Sequence, residues 1–320
     1  MTPHKNQEFI KENLITAELS RRSGDTPSVY SAYTALASYY SSPSISDPKT
    51  SVYFQEKCLE ISKLTGDWSG EMRANHELGK VFSMMGDLDG AIRFHERHMT
   101  LAREKGMMEE KVLASSELEK VYGRSAEEMG DRGEFDKSVE FYSKQLEAAR
   151  ANRDRRAEGS ACFRLGGTYV IVGQPEKAVQ FLDEYERISI ELDDLTGHGK
   201  ASASLAKAYQ SLGDADKAVA YLQNYLDISS KTENLQSQGE ACSALGVIYN
   251  SRGDFAKSVE MFEKNFEIAR SIVSSGQGTT SLVDRSRVYL GIAKGNMIRR
   301  KIMTNIGDVN EIIEWKRLFN

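Results

Sequence analysis

The chain has 320 residues, of which 40% are hydrophobic and 28% charged, with a formal net charge of -5, five prolines and three cysteines. This is the composition of a soluble chain able to fill a core, and it excludes a disulfide framework. No apolar run approaches the ~20 residues of a membrane span, and Met1-Thr2-Pro3-His4-Lys5-Asn6-Gln7 lacks a secretory apolar region, so a cytosolic or cytoskeletal setting is expected, with no membrane and no nucleic acid as partner.

In chain order, Asn6 to Arg22 reads as a leading helix closed by Ser23-Gly24-Asp25-Thr26-Pro27, which bounds an N-terminal region at 1–26. A degenerate hairpin follows, with Tyr30, Tyr33, Leu36 and Tyr40 on its first helix and Phe54, Cys58 and Ile61 on its second. The Ser- and Pro-rich stretch 41–48 between them is expected to be an exposed loop. Five clearer hairpins are expected at 69–105, 109–151, 155–191, 195–231 and 235–272, so that an array fills 27–273.

The repeat is legible because Leu165-Gly166-Gly167-Thr168-Tyr169 returns forty residues later as Leu205-Ala206-Lys207-Ala208-Tyr209, then as Leu245-Gly246-Val247-Ile248-Tyr249. Each copy leads to a turn glycine (Gly173, Gly213, Gly253) and then to Ala178, Ala218 or Ser258, where paired helices come closest. Glycine there can take the left-handed conformation that ends a helix, and Asp87, Asp214 and Asp254 stand where the next helix needs an N-cap. An earlier copy has Leu78-Gly79, Phe82, Gly86 and Ala91. Leu118 and Gly133 break the spacing, standing fifteen residues apart where the other copies have eight. Seven residues are therefore inserted within 121–132, nearly two helical turns, which keeps the apolar face in phase and makes a docking ridge possible.

Beyond a hinge at 272–278, two further helices are expected, Leu282 to Met297 and Ile302 to Phe319, as a region at 274–320 that caps the array. Residues 280–320 carry a surplus of four positive charges against -9 for the rest of the chain. Arg285, Arg287, Arg299, Arg300 and Lys301 form a candidate basic end, suited to an acidic surface such as a microtubule.

A fixed period with a Leu-Gly-x-x-aromatic core and a small residue nine positions on is the signature of tetratricopeptide helix pairs, so an all-α, right-handed superhelical solenoid of about 40-residue hairpins is expected. Such an array offers an extended concave surface, and the first helix of each hairpin faces it. The positions concerned hold Arg73, His76, Lys80, Lys120, Arg124, Phe163, Ile171, Lys200 and Lys207, a basic track with an apolar centre suited to an acidic peptide or helix. The paired Lys and Asn of a two-carboxylate chaperone clamp are not reproduced, since Glu117 and Ser204 stand where Asn belongs.

No catalytic set, cofactor or metal is expected. Gly166-Gly167 lies within a helix and follows no strand, which removes the context of a nucleotide fingerprint. His95 and His98 share one helical face but occupy the packing positions of Leu182 and Tyr185 in a later repeat, and no third histidine is close in sequence. Cys162 and Cys242 fill the same small slot of two repeats that Ser202 fills between them.

The stretches 91–102 and 239–246 are similar to the Leu-Gly-Asn/Pins polarity scaffolds. The run from Phe54 to Trp315, with Leu282-Val283-Asp284-Arg285-Ser286-Arg287-Val288-Tyr289-Leu290-Gly291 and Glu314-Trp315-Lys316, resembles more closely the tetratricopeptide repeat protein 29 family of ciliary proteins. That resemblance implies a non-catalytic subunit of the ciliary or flagellar axoneme, associated with inner-arm dynein and partnered by a repeat protein with a MYND zinc finger. The alternatives are a polarity or cargo adaptor and a bacterial peptide-sensing helical-repeat regulator.

Overall fold

The structure, a computed structural model, describes residues 3–304 together with Ile313 and Arg317. Most of the expected second C-terminal helix, including Trp315 and Phe319, lies outside the described residues. Among the described residues the secondary structure is helical throughout, and the chain divides into two compact units, Met1–Ala161 and Cys162–Asn320.

The first unit contains α1 (Pro3–Ser23), α2 (Thr26–Ser41), α3 (Pro48–Thr65), α4 (Trp68–Met85), α5 (Leu88–Glu104), α6 (Met108–Asp131), α7 (Phe135–Asn152) and the start of α8 (Arg155–Val172). The second contains the rest of α8, then α9 (Pro175–Glu191), α10 (Leu195–Ser211), α11 (Ala215–Lys231), α12 (Leu235–Ser251), α13 (Phe255–Ser274) and α14 (Thr280–Thr304). Sequential helices form the hairpins that the repeat predicts.

Local chemistry sets the helix ends. Asp87 Oδ1 accepts from the backbone N–H of Gly90 at 2.8 Å, and Asp214 and Asp254 accept in the same way from Lys217 and Lys257 at 3.1 and 3.3 Å. Each cap is worth about 1 kcal/mol. The preceding turn glycines sit at φ 80° (Gly86), 77° (Gly213) and 76° (Gly253), where a Cβ would be strained.

Apolar faces then pack in a fixed register. In the second unit Ala178 and Leu182 of α9 meet Leu205 and Ala208 of α10, while Ala218 and Leu222 of α11 meet Ala206, Leu245 and Tyr249. Burying each leucine contributes about 1.5–3 kcal/mol. In the first unit Leu36, Ala37 and Phe54 pack together, as do Leu88, Ala91 and Val121.

Helix α6 has 24 residues, where α4 and α8 have 18 and α10 and α12 have 17. Its first half keeps the ordinary register against α5, since Val121 meets Ala91 as Ala208 meets Ala178. Its second half is registered against α7. Ser138 Oγ donates to the Ala126 carbonyl at 2.8 Å, as Ser258 Oγ of α13 donates to Gly246 at 2.8 Å. Seven residues turn an α-helix to within about 20° of its starting face, so both registers fit one unbroken helix.

The C-terminal region departs from expectation. Residues 282–304 lie in the single helix α14, with no break between Met297 and Ile302. The intervening Ile298-Arg299-Arg300-Lys301 contains neither glycine nor proline and consists largely of good helix formers. Leu290, Ala293 and Met297 of α14 pack on Val259 and Phe262 of α13.

Candidate functional site

In the first unit, α2, α4 and α6 line a cleft of about 650 Å³ walled by Tyr30, Thr34, Arg73, His76, Glu77, Glu110 and Leu113. The Arg73 guanidinium lies over the Tyr30 ring at 5.7 Å, and Tyr30 Oη donates to the Gly70 carbonyl at 3.1 Å. Burial raises the Tyr30 phenol above its ordinary pKa, with Arg73 opposing it.

The other cations of the expected track in this unit have local partners. Lys80 pairs with Glu77 at 3.1 Å and Lys120 with Glu117 at 2.8 Å, each one turn earlier on its own helix. Arg124 Nη1 donates to the Ser83 carbonyl at 2.9 Å and to Ser83 Oγ at 2.7 Å, tying α6 to the last turn of α4. Of the four cations expected in this unit, Lys80 and Lys120 are thus paired with glutamates on their own helices, while Arg73 lies over an aromatic ring and Arg124 on a serine.

Three histidines meet between α4 and α5. His95 and His98 are fully buried, and His76 stands against both, with ring centroids 5.9 Å from His95 and 5.4 Å from His98. One ring nitrogen from each lies within 4.8 Å of the others. Gly79 makes the room, since a Cβ there would stand 2.5 Å from the His95 ring. Burial holds His95 down at about 4 and His76 below its ordinary value, so both are neutral imidazoles at pH 7. No third histidine is close to His95 and His98 in sequence, but packing of α4 on α5 brings one to them in space. His76 is nineteen residues before His95 in sequence, but it occupies the α4 slot that faces α5.

In the second unit a cleft of about 410 Å³ is lined by Lys207 and Gln210 of α10, Tyr225 of α11, Glu240 and Val247 of α12, and Arg285 and Tyr289 of α14. Tyr225 Oη donates to Glu240 at 3.3 Å and Gln236 Nε2 donates to it at 3.0 Å, which fixes the carboxylate on the wall. Of the residues expected in this half, Lys207 lines the cleft and Lys200 is exposed outside its lining. Phe163 is half-buried against the Tyr185 ring at 5.0 Å, and Ile171 is exposed.

The expected basic end does not form one cluster. Arg285 opens on the cleft, and Arg287 pairs with Asp284 at 3.3 Å. Arg299 lies fourteen residues beyond Arg285, about 21 Å along α14. Arg300 donates to the Gly253 carbonyl and lies over Phe255 at 5.7 Å, and with Lys301 it lines a recess beside the α12–α13 turn.

Tetratricopeptide repeat family models match residues 199–271 and 75–107. Tetratricopeptide repeat protein 29 of Macaca fascicularis is 27% identical over 192 residues, covering 58% of this chain and 40% of that protein. The Mus musculus protein of that name is 31% identical over 168 residues (50% and 35%), and that of Trypanosoma brucei brucei 26% over 133 residues (42% and 26%). The matches thus span two-fifths or less of these relatives' lengths. Among solved structures, BtubC from P. vanneervenii gives a TM-score of 0.46 at 18% identity, covering 70% of this chain and 92% of that one. A Podosopora anserina kinesin light chain-like repeat protein gives 0.43 at 19% identity, covering 65% and 97%. No helix among the described residues is long and apolar enough to cross a membrane. The chain is built of tetratricopeptide helix hairpins and is similar to the proteins named tetratricopeptide repeat protein 29.

Proposed function

We propose that this protein is a non-catalytic scaffold of the ciliary or flagellar axoneme that helps to assemble or dock inner-arm dynein. The observation that carries this reading is the similarity to tetratricopeptide repeat protein 29 from mammals to a trypanosome, together with the family resemblance of the α14 sequence. Tetratricopeptide hairpins are a protein-interaction architecture, and the two clefts supply surfaces of the required kind. Each combines a fixed carboxylate, a cation and aromatic or aliphatic side chains, the mixture that anchors a peptide or helix by an apolar contact and orients it by charge. Dynein-arm subunits and a MYND zinc-finger repeat protein are the proposed partners, with the exposed Arg299 and Lys301 available to the acidic microtubule surface.

The test is fractionation of flagella from cells expressing the tagged chain. The expected result is retention on detergent-extracted axonemes and release by the salt wash that removes inner-arm dynein. Recovery wholly in the detergent-soluble fraction would overturn the reading.

A further inference from the structure

His95 and His98 are fully buried and line neither cleft, and as packing residues they are poorly suited. Both ring nitrogens of His95 lack a hydrogen-bond partner, as do Nδ1 of His76 and Nδ1 of His98. A neutral imidazole always carries one N–H donor and one lone pair, so His95 buries an unmet example of each. The corresponding residues Leu182, Leu222 and Phe262 carry no such burden.

His98 is held in one tautomer. Its Nε2 lies 2.8 Å from Glu110 Oε2, and an ionised carboxylate can only accept, so Nε2 carries the proton and the lone pair is left on buried Nδ1. A carboxylate on the far nitrogen is the arrangement that fixes a metal-binding imidazole and raises its basicity. Each of the three rings has a nitrogen with no hydrogen-bond partner, and one ring nitrogen from each lies within 4.8 Å of the others. Tetrahedral binding at about 2.0–2.1 Å places ligand nitrogens about 3.3 Å apart, so binding requires the three rings to draw together on the ion. Glu110 on His98 and Glu117, which acts electrostatically on His76 and His95, offset the charge of a divalent ion.

We propose that His76, His95 and His98 bind one divalent late-transition-metal ion of the zinc class, with Glu110 as the residue that positions His98. Three imidazoles and no thiolate suit zinc over calcium or magnesium, which take oxygen ligands. The ion ties α4 to α5 through its ligands and reaches α6 through Glu110.

The experiment uses the full chain stripped with a chelator and titrated with Zn²⁺ alone against a chromophoric competitor, with Co²⁺ absorption reporting coordination. The expected result is about one zinc per chain and the visible bands of four-coordinate cobalt. His95→Leu restores the residue found at Leu182 and Leu222, and should weaken zinc binding about 100-fold or more while far-UV circular dichroism is retained. His76→Phe with His98→Tyr recreates the Phe163–Tyr185 pair and answers the same question if His95→Leu does not fold. Glu110→Gln should weaken binding about 10–100-fold, with the cobalt spectrum preserved. A parent chain that takes up no zinc overturns the proposal. So does zinc binding to both histidine variants as tight as to the parent, which would place the ion on exposed groups.

Discussion

Hairpins α4–α5 and α8–α9 use the same positions for opposite chemistry. Where α9 sets Leu182 against Gly166, α5 sets His95 against Gly79, and in both a glycine Cβ would stand 2.5 Å from the facing side chain. Where Phe163 meets Tyr185 with ring centroids 5.0 Å apart, His76 meets His98 at 5.4 Å. The repeat therefore specifies shape and helix approach at each slot, and leaves polarity free to change. An apolar slot is stable by burial alone, whereas a histidine slot carries unmet polar groups that a metal ion would satisfy.

Four changes would break or sharpen that comparison. The largest effect is expected from Leu182→His, which places a lone imidazole in the fully buried slot of α9. It should lower unfolding free energy by about 3 kcal/mol or more in a denaturant titration, through lost apolar burial and unpaired nitrogens. A change within error would show that the slot tolerates polarity by itself.

Next comes acid. In the metal-free chain burial holds His95 at about 4, and an unfolded histidine titrates near 6.5. The unfolded state thus binds the proton first, so this contribution is fully present above pH 6.5 and is lost as pH falls towards 4. The full loss is roughly 3 kcal/mol. His76, His98 and Lys120 act on His95 in the same direction as burial, and Glu117 opposes them. His95→Leu should flatten the stability profile in that window relative to the parent, and parallel profiles would contradict the assignment.

A smaller effect is expected at the turns. Gly213 at φ 77° joins α10 to α11, and Gly213→Val should cost about 1–2 kcal/mol because a β-branched residue resists the left-handed region. The turns between hairpins tolerate Asp193 and Glu233 at φ 54° and 53°, so Gly213→Asp should cost less than the valine. Thermal unfolding of the two variants separates steric branching from loss of glycine as such.

The smallest effect is expected from Lys120→Glu with Arg124→Glu. Lys120 is already paired with Glu117, so association with an acidic partner should slow by less than about tenfold and the effect should shrink as salt rises. Surface-plasmon kinetics at two salt concentrations measure it, and a salt-independent loss would point to displacement of α4 through the Arg124–Ser83 contacts.

The turn glycines, the aspartate caps and the leucine stripe were legible because each depends on neighbours within one helical turn or one tight turn. The histidine cluster was not, because His76 and His95 come together only through helix packing. A signal was nevertheless available. Aligning the repeats puts His76 at the Phe163 position and His98 at the Tyr185 position, and those slots touch. Two cations of the expected track also have partners that its residue list did not include. Offsets from the signature leucine select cations on one face, but Glu77 and Glu117 reach Lys80 and Lys120 around the helix at i, i+3. The two-helix reading of the C-terminal region failed because α14 runs on through Ile298–Lys301, which contains no helix breaker.

The most direct measurement of the scaffold assignment is the dynein content of axonemes isolated from cells lacking the gene, before and after its restoration. Inner-arm dynein heavy chains should fall relative to outer-arm chains and recover when the full-length protein is returned. Normal inner-arm content in the null axonemes would contradict the account.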